Sequence, residues 1–313
     1  MRRIRVWIAT SAVAVLVAGW GPARGAGTIT HPFVGVTYVD RLVTSPRAEH
    51  THVVQVDLRA PGIRVELSPH AGPRETLRQT TVQFLADEHA QVAINAHFFL
   101  PFPSHDRGAW LVGFAASDGR VFSAFETPEQ RFALVADAPA LNIDRDNHAS
   151  IVHADAAASD GRHVREHVPL WTALAGSAQI VTNGAVTIPA YRDAAHPDGA
   201  LRPGGDRHYS NANSWYDVET ARTAIGVSRD GRTLTLFTVD ARGGSTGMRV
   251  AEVAATLIRE YDVWNALNLD GGGSTSLAMQ DPATGRDALV NTSSDSVAGR
   301  SVGSSLAVFA RVR

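Results

Sequence analysis

The chain contains no cysteine and no lysine. Without cysteine there are no disulfides, no thiol nucleophiles, no lipid attachment through sulfur and no cysteine zinc sites. Without lysine, all 29 basic residues are arginine. That excludes a Schiff-base lysine, a pyridoxal-phosphate anchor and the lysine of a phosphate-cradling P-loop. Any anion must be held by arginine, backbone N–H groups or hydroxyls, and the guanidinium fork suits phosphate or carboxylate. An excess of one charge is missing too. A net charge of -2 over 313 residues offers no electrostatic case for nucleic acid or an anionic membrane. With 44% hydrophobic and 19% charged residues, the composition is that of a globular chain with one large or two modest domains.

The opening stretch, residues 1–25, carries Arg2, Arg3 and Arg5, then an apolar run from Val6 to Trp20, then the small residues Ala23 and Gly25. This order reads as a secretory signal peptide, with an uncleaved anchor as the alternative. The expectation is a secreted or periplasmic protein, free of the membrane after cleavage.

Beyond it, residues 28–74 read as an N-terminal strand region and 75–313 as the main domain. His52–Pro69 predicts two strands around the Pro61-Gly62 turn, and residues 76–89 a helix burying Leu77, Thr81, Phe84 and Leu85. Hairpins are predicted at Asp118-Gly119, Asn183-Gly184 and Asp230-Gly231, a further strand at 131–137, and the clearest helix at 249–261. Residues 190–220 have no periodicity and read as a functional rim loop, with Trp215 or Tyr216 offering a ring to a sugar. One arrangement occurs twice: helix, short connection, buried strand, polar residue at the strand's end. Asn95 closes the first unit and Asp270 the second, a position that commonly faces a cleft.

The second unit runs into Asp270-Gly271-Gly272-Gly273-Ser274-Thr275-Ser276. Three glycines admit close approach to the backbone and turns that align N–H groups for an anion. Ser274 and Thr275 add hydroxyls, and Asp270 needs partners or solvent because an unpaired buried carboxylate is costly. The alternative is a glycine turn capped by Asp270.

Together with "TAIGVSRDGRTLTLFTVDARGGSTGM", "INAHFF", "LAGSAQIVTNG", "LVN" and "GRSVGSSLAVF", this stretch resembles the phosphodiester glycosidase family over most of residues 75–313. The resemblance implies an α+β fold, a mixed, strand-rich sheet core with a few packed helices. It also implies cleavage of a sugar C1–O bond whose leaving group is a phosphate ester. Arg222, Arg242 and Arg300 match the family's motif arginines, Asp240 and Asp270 are the candidate carboxylates, and Asn95 and Asn268 are candidate partners of sugar or carboxylate. The expected catalytic set is Asp270, Asp240 and Arg242. The expected substrate contacts are Asn95, His97, Arg222, Asn268, Gly271, Gly272, Gly273, Ser274, Thr275 and Arg300. Ala96 and His97 depart from the glycine usual after the asparagine, which bears on the sugar more than on the reaction.

Three other signals compete. Gly243-Gly244-Ser245-Thr246-Gly247 is a literal G-x-S-x-G, but no histidine follows His208, so the serine-hydrolase order fails. His50-x-His52 puts two imidazoles on one strand face; with no third ligand nearby it reads as an exposed edge strand. "DRDNH" from Asp144 to His148 has Ala149 where a calcium loop needs glycine and reads as a polar turn. No motif requires a cofactor, and a divalent cation on Asp270 and loop aspartates stays open. Two classes remain: an exported hydrolase of glycosyl phosphodiesters in glycans, cell-wall or exopolysaccharide polymers, and a non-catalytic glycan-binding protein on the same scaffold.

Overall fold

The computed structural model describes residues 26–125, 138–188 and 216–313. The expected signal segment, the strand expected at 131–137, Trp215 and most of the expected rim loop lie outside the described residues.

Two antiparallel sheets face each other across the main core. The larger has eight strands, in the order Ala26–Phe33, Val36–Val43, Glu49–Asp57, Thr233–Val239, Arg222–Val227, Asn265–Asn268, Ala178–Thr182 and Ala185–Val186. The facing sheet has five: Asp287–Leu289, Leu277–Gln280, Val92–Asn95, Ser305–Phe309 and Arg64–Leu67. Alternation along the strands assigns their side chains to two cores. Val54, Leu236, Ile225 and Leu267 point between the sheets and meet Ile94, Leu277 and Leu306. Val53, Phe237, Ala224 and Ala266 point to the other side, onto helix α2 (Val250–Tyr261) through Val250, Val253, Ala254 and Leu257. Helix α1 (Thr81–Glu88) covers the outer face of the five-stranded sheet with Phe84 and Leu85 against Ala93, Ala278 and Ala307. The layers are therefore helix, sheet, sheet, helix. Strands buried on both faces explain the near-continuous apolar runs of the sequence.

A second five-stranded sheet, ordered Arg120–Ser123, Ala115–Ser117, Thr172–Ala175, Ala140–Ile143 and Ala149–Val152, carries its own small core around Phe114, Phe125 and Leu170. Every strand pairing among the described residues is antiparallel.

The two strands expected around Pro61-Gly62 are present, and they enter different sheets. The structure departs from sequence-based expectation at three places. The first helix begins at Thr81, not 76, because Thr80 caps it: its side chain accepts from Gln83 N while the Gln83 side chain accepts from Thr80 N. Leu77, expected on the buried face, instead lies in the short strand Thr76–Leu77 and is exposed. Strand Glu49–Asp57 is no edge: Val36–Val43 pairs with one side and Thr233–Val239 with the other, and His52 is buried. The N-terminal region thus supplies strands to the same sheets as the rest of the chain.

Candidate active site

The two helix–strand units end against each other. Strand Val92–Asn95 belongs to one sheet and Asn265–Asn268 to the other, and their polar termini join. Asp270 N donates to the Ala96 carbonyl at 3.1 Å, and Asn95 Nδ2 donates to the Asp270 carbonyl at 2.7 Å. The Asn95 Oδ1 accepts from Ser276 N at 3.0 Å and from the Thr223 hydroxyl at 2.9 Å. Asn95 is fully buried and spends its amide on shaping the glycine turn.

That turn is one 3-10 winding, Gly272–Ser274. Its glycines answer different demands. A Cβ on Gly271 would stand 2.9 Å from the Ala221 carbonyl, and one on Gly273 would stand 2.2 Å from Arg300 Nη2. Gly272 has φ +58 and open space around it, so its demand is conformational. The amides are largely committed within the protein: Gly272 N donates to Ala221 O at 2.8 Å, Ser274 N to Gly271 O at 3.1 Å and Thr275 N to Gly272 O at 3.2 Å. The amide cradle expected for an anion is therefore mostly spent on the turn itself, which leaves anion binding to arginines and hydroxyls.

Asp270 as a residue is partly exposed at this junction. The Ser274 hydroxyl, the Gly271 N–H and the charge of Arg300 all favour its anion, but burial outweighs them and pushes it from its ordinary 3.8 up to about 7. Arg300 reaches Asp295 Oδ1 through Nη2 at 2.7 Å and Nε at 3.1 Å, and the Ser274 hydroxyl through Nη1 at 3.4 Å. Its guanidinium lies 4.8 Å from the ring centre of Phe102, which is 51% exposed. Sequence reasoning missed Phe102; its signal was an aromatic between Pro101 and Pro103 in an otherwise polar loop.

Arg222 is buried, with Nε on the Met248 carbonyl at 2.8 Å and Nη2 on the Val218 carbonyl. No carboxylate of the described residues stands within ion-pair distance of it, and burial lowers it to about 10. Asn268 is buried, donates from Nδ2 to the Ser177 hydroxyl at 2.9 Å, and leaves Oδ1 without a partner. Tyr216 is buried too, its hydroxyl 2.8 Å from Ser177, so its ring belongs to the core rather than to a rim. His97 is sealed inside: Nδ1 meets the Ser304 hydroxyl at 2.8 Å, Nε2 lies 3.1 Å from Phe114 O and Ala175 N, and burial lowers it to about 4. It is a neutral core imidazole.

Asp240 stands two strands away at the same end of the large sheet, fully buried. Its carboxylate accepts from Thr292 N at 3.0 Å and Asn291 Nδ2 at 3.3 Å, and Oδ2 lies 3.2 Å from His52 Nε2. Asn291, also missed as a site residue although it ends the quoted "LVN", donates onward to Thr275 O at 3.2 Å and so couples Asp240 to the glycine turn. Arg242 is exposed on the following turn. Ser245 is buried, donating to Asp240 O at 2.6 Å and accepting from His50 N at 3.0 Å, which removes it as a nucleophile.

The phosphodiester glycosidase family model matches residues 88–309. Over 111 residues the chain is 32% identical to mouse (Mus musculus) N-acetylglucosamine-1-phosphodiester alpha-N-acetylglucosaminidase, a match covering 36% of this chain and 20% of the relative. The matched part thus spans about a fifth of that relative's length. The catalytic domain of the zebrafish enzyme of that name, auto-inhibited by its pro-peptide, superposes with a TM-score of 0.58 at 20% identity, covering 92% of this chain and 88% of that one. A hypothetical protein from Synechocystis superposes with a TM-score of 0.59 at 18% identity, covering 88% and 62%. At such identities these two likenesses establish a shared strand-rich fold.

Proposed function

This chain belongs to the phosphodiester glycosidase family, and on that premise we propose that it hydrolyses glycosyl phosphodiesters at the sugar C1–O bond. The observation that carries the reading is Asp270: a partly exposed residue whose carboxyl is pushed by burial up to about 7, beside a hydroxyl and an arginine. A group poised near 7 suits proton transfer or charge stabilisation at neutral pH, whereas a protein that only binds glycans has no need of it.

As the C1–O bond breaks, its electron pair leaves on the phosphate ester. A phosphate monoester departs as an anion and requires little protonation, so one carboxylate is sufficient. Ionised Asp270 stabilises the positive charge that develops on the sugar ring, and water supplies the new C1 oxygen. Arg300, anchored by Asp295 and Ser274, neutralises the departing phosphate, with Arg222 and Arg242 as further cations. Phe102 offers an apolar ring face to the substrate next to that charge. The substrate class is a sugar-1-phosphodiester of a glycan, cell-wall or exopolysaccharide polymer, met outside the cytoplasm if residues 1–25 direct export.

Hydrolysis of a nitrophenyl or glycosyl sugar-1-phosphodiester in 18O-labelled water tests this. The label is expected on the sugar. Label on the phosphate would mean P–O cleavage, and tight binding without turnover would favour the glycan-binding alternative.

A further inference from the structure

The sheet end that holds Asp240 carries a second cluster that the proposed reaction does not use. His50 and His52 lie on one face of Glu49–Asp57, with ring centres 4.2 Å apart. Asp240 Oδ2 lies 3.6 Å from His50 Nδ1 and 3.2 Å from His52 Nε2. The remaining ring nitrogens are engaged from the neighbouring strand Val36–Val43. His50 Nε2 meets Asp40 Oδ1 at 2.7 Å, and His52 Nδ1 meets the Tyr38 hydroxyl at 2.8 Å.

We propose that His50 Nδ1, His52 Nε2 and Asp240 Oδ2 form a binding site for a first-row transition ion of the Zn2+ type, oriented by Asp40 and Tyr38. Donors about 2.0–2.1 Å from a tetrahedral zinc ion are separated from one another by about 3.3 Å. The two donor separations to Asp240, 3.6 and 3.2 Å, lie close to that edge. Two imidazoles and a carboxylate select zinc-like ions over magnesium or calcium, which prefer all-oxygen sites. The outer partners complete the pattern of metal-binding histidine. With an ion bound, Asp40 would accept from His50 Nε2–H and the Tyr38 hydroxyl from His52 Nδ1–H, leaving the opposite lone pairs for the metal. His50, with 27% of its side chain exposed, opens the fourth coordination position to solvent, while His52 and Asp240 are buried. Asp40, His50 and His52 all precede residues 88–309, so the site is built where the N-terminal strands join the family domain. A bound ion would clamp three strands and fix Asp240, which reaches the glycine turn through Asn291.

The test is calorimetric titration of tag-free full-length protein with ZnCl2, with MgCl2 and CaCl2 as comparisons, followed by metal analysis after dialysis. One zinc ion per chain is expected, with no heat from magnesium or calcium. A rise in melting temperature with zinc should accompany it. His50→Gln should abolish retention, and Asp40→Asn, which alters only the outer partner, should weaken affinity about 10- to 100-fold. His153→Gln, a histidine paired with Glu166 elsewhere, should leave binding unchanged. Absence of zinc binding in the native protein, or equal retention by His50→Gln, would overturn the proposal. Far-ultraviolet circular dichroism confirms that each variant is folded, and Asp40→Asn decides the matter if His50→Gln is not.

Discussion

At the scale of single residues, Asp270 links chemistry to stability. Between its ordinary 3.8 and its folded value of about 7, an unfolded chain ionises this carboxyl while the native protein keeps the proton. The unfolded state therefore binds fewer protons, and native stability falls as pH rises through this window, then levels off above it. Asp270→Asn should abolish turnover yet stabilise the protein at pH 8. Discounted for partial exposure, the gain is on the order of 1–2 kcal/mol, or about 2–6 °C in melting temperature. It should vanish below pH 4, and melting curves at the two pH values check it. Under the proposed reaction, kcat/KM of the native protein should rise through pH 7 as Asp270 ionises; a rate that falls there would give it the role of acid. Two neighbours separate binding from chemistry. Arg300→Lys keeps charge but loses the fork across Asp295 and Ser274, so kcat/KM should fall at least about tenfold. Phe102→Ala removes only ring contact, so KM should rise several-fold with kcat nearly unchanged.

Among elements, the glycine turn is the most informative. Gly273→Ala drives a methyl into the Arg300 guanidinium, a flexible group that moves aside, so activity should collapse while the melting temperature barely changes. Gly272→Ala meets open space and costs only its left-handed backbone, about 1 kcal/mol. A paired measurement of rate and melting temperature distinguishes them, and loss of activity in neither would remove the turn from the site. Elements of this kind were well marked in the sequence. The dipeptides Asp118-Gly119, Asn183-Gly184 and Asp230-Gly231 announce their hairpins because left-handed turns favour them, and α2 is announced by its periodicity. The polar strand ends Asn95 and Asp270 were legible for the same reason, since each interrupts an apolar run. What escaped was pairing at a distance. His52 looked like a surface residue because its partner Asp240 is 188 positions away. Asn95 looked like a ligand contact, but its amide is spent on Asp270, Ser276 and Thr223, residues brought beside it only when the two sheets close. Likewise the tightness around Gly273 depends on Arg300, which no local pattern foretells.

For the whole molecule, the decisive feature is where the strands fall in their sheets. Ser305–Phe309 is the neighbour of both Val92–Asn95 and Arg64–Leu67, and Thr233–Val239 is the neighbour of Glu49–Asp57. Ala26–Phe33, Val36–Val43 and Glu49–Asp57 pair among themselves, but Arg64–Leu67, Val92–Asn95 and the inner edge of Glu49–Asp57 have their permanent partners some two hundred residues downstream. During synthesis they emerge as unpaired, apolar edges and wait, a situation in which long-range pairing is slow and association between chains competes. Truncation before residue 305 removes the shared partner of Arg64–Leu67 and Val92–Asn95, so a shortened chain is expected to expose those edges and self-associate, which light scattering against the full-length chain would check.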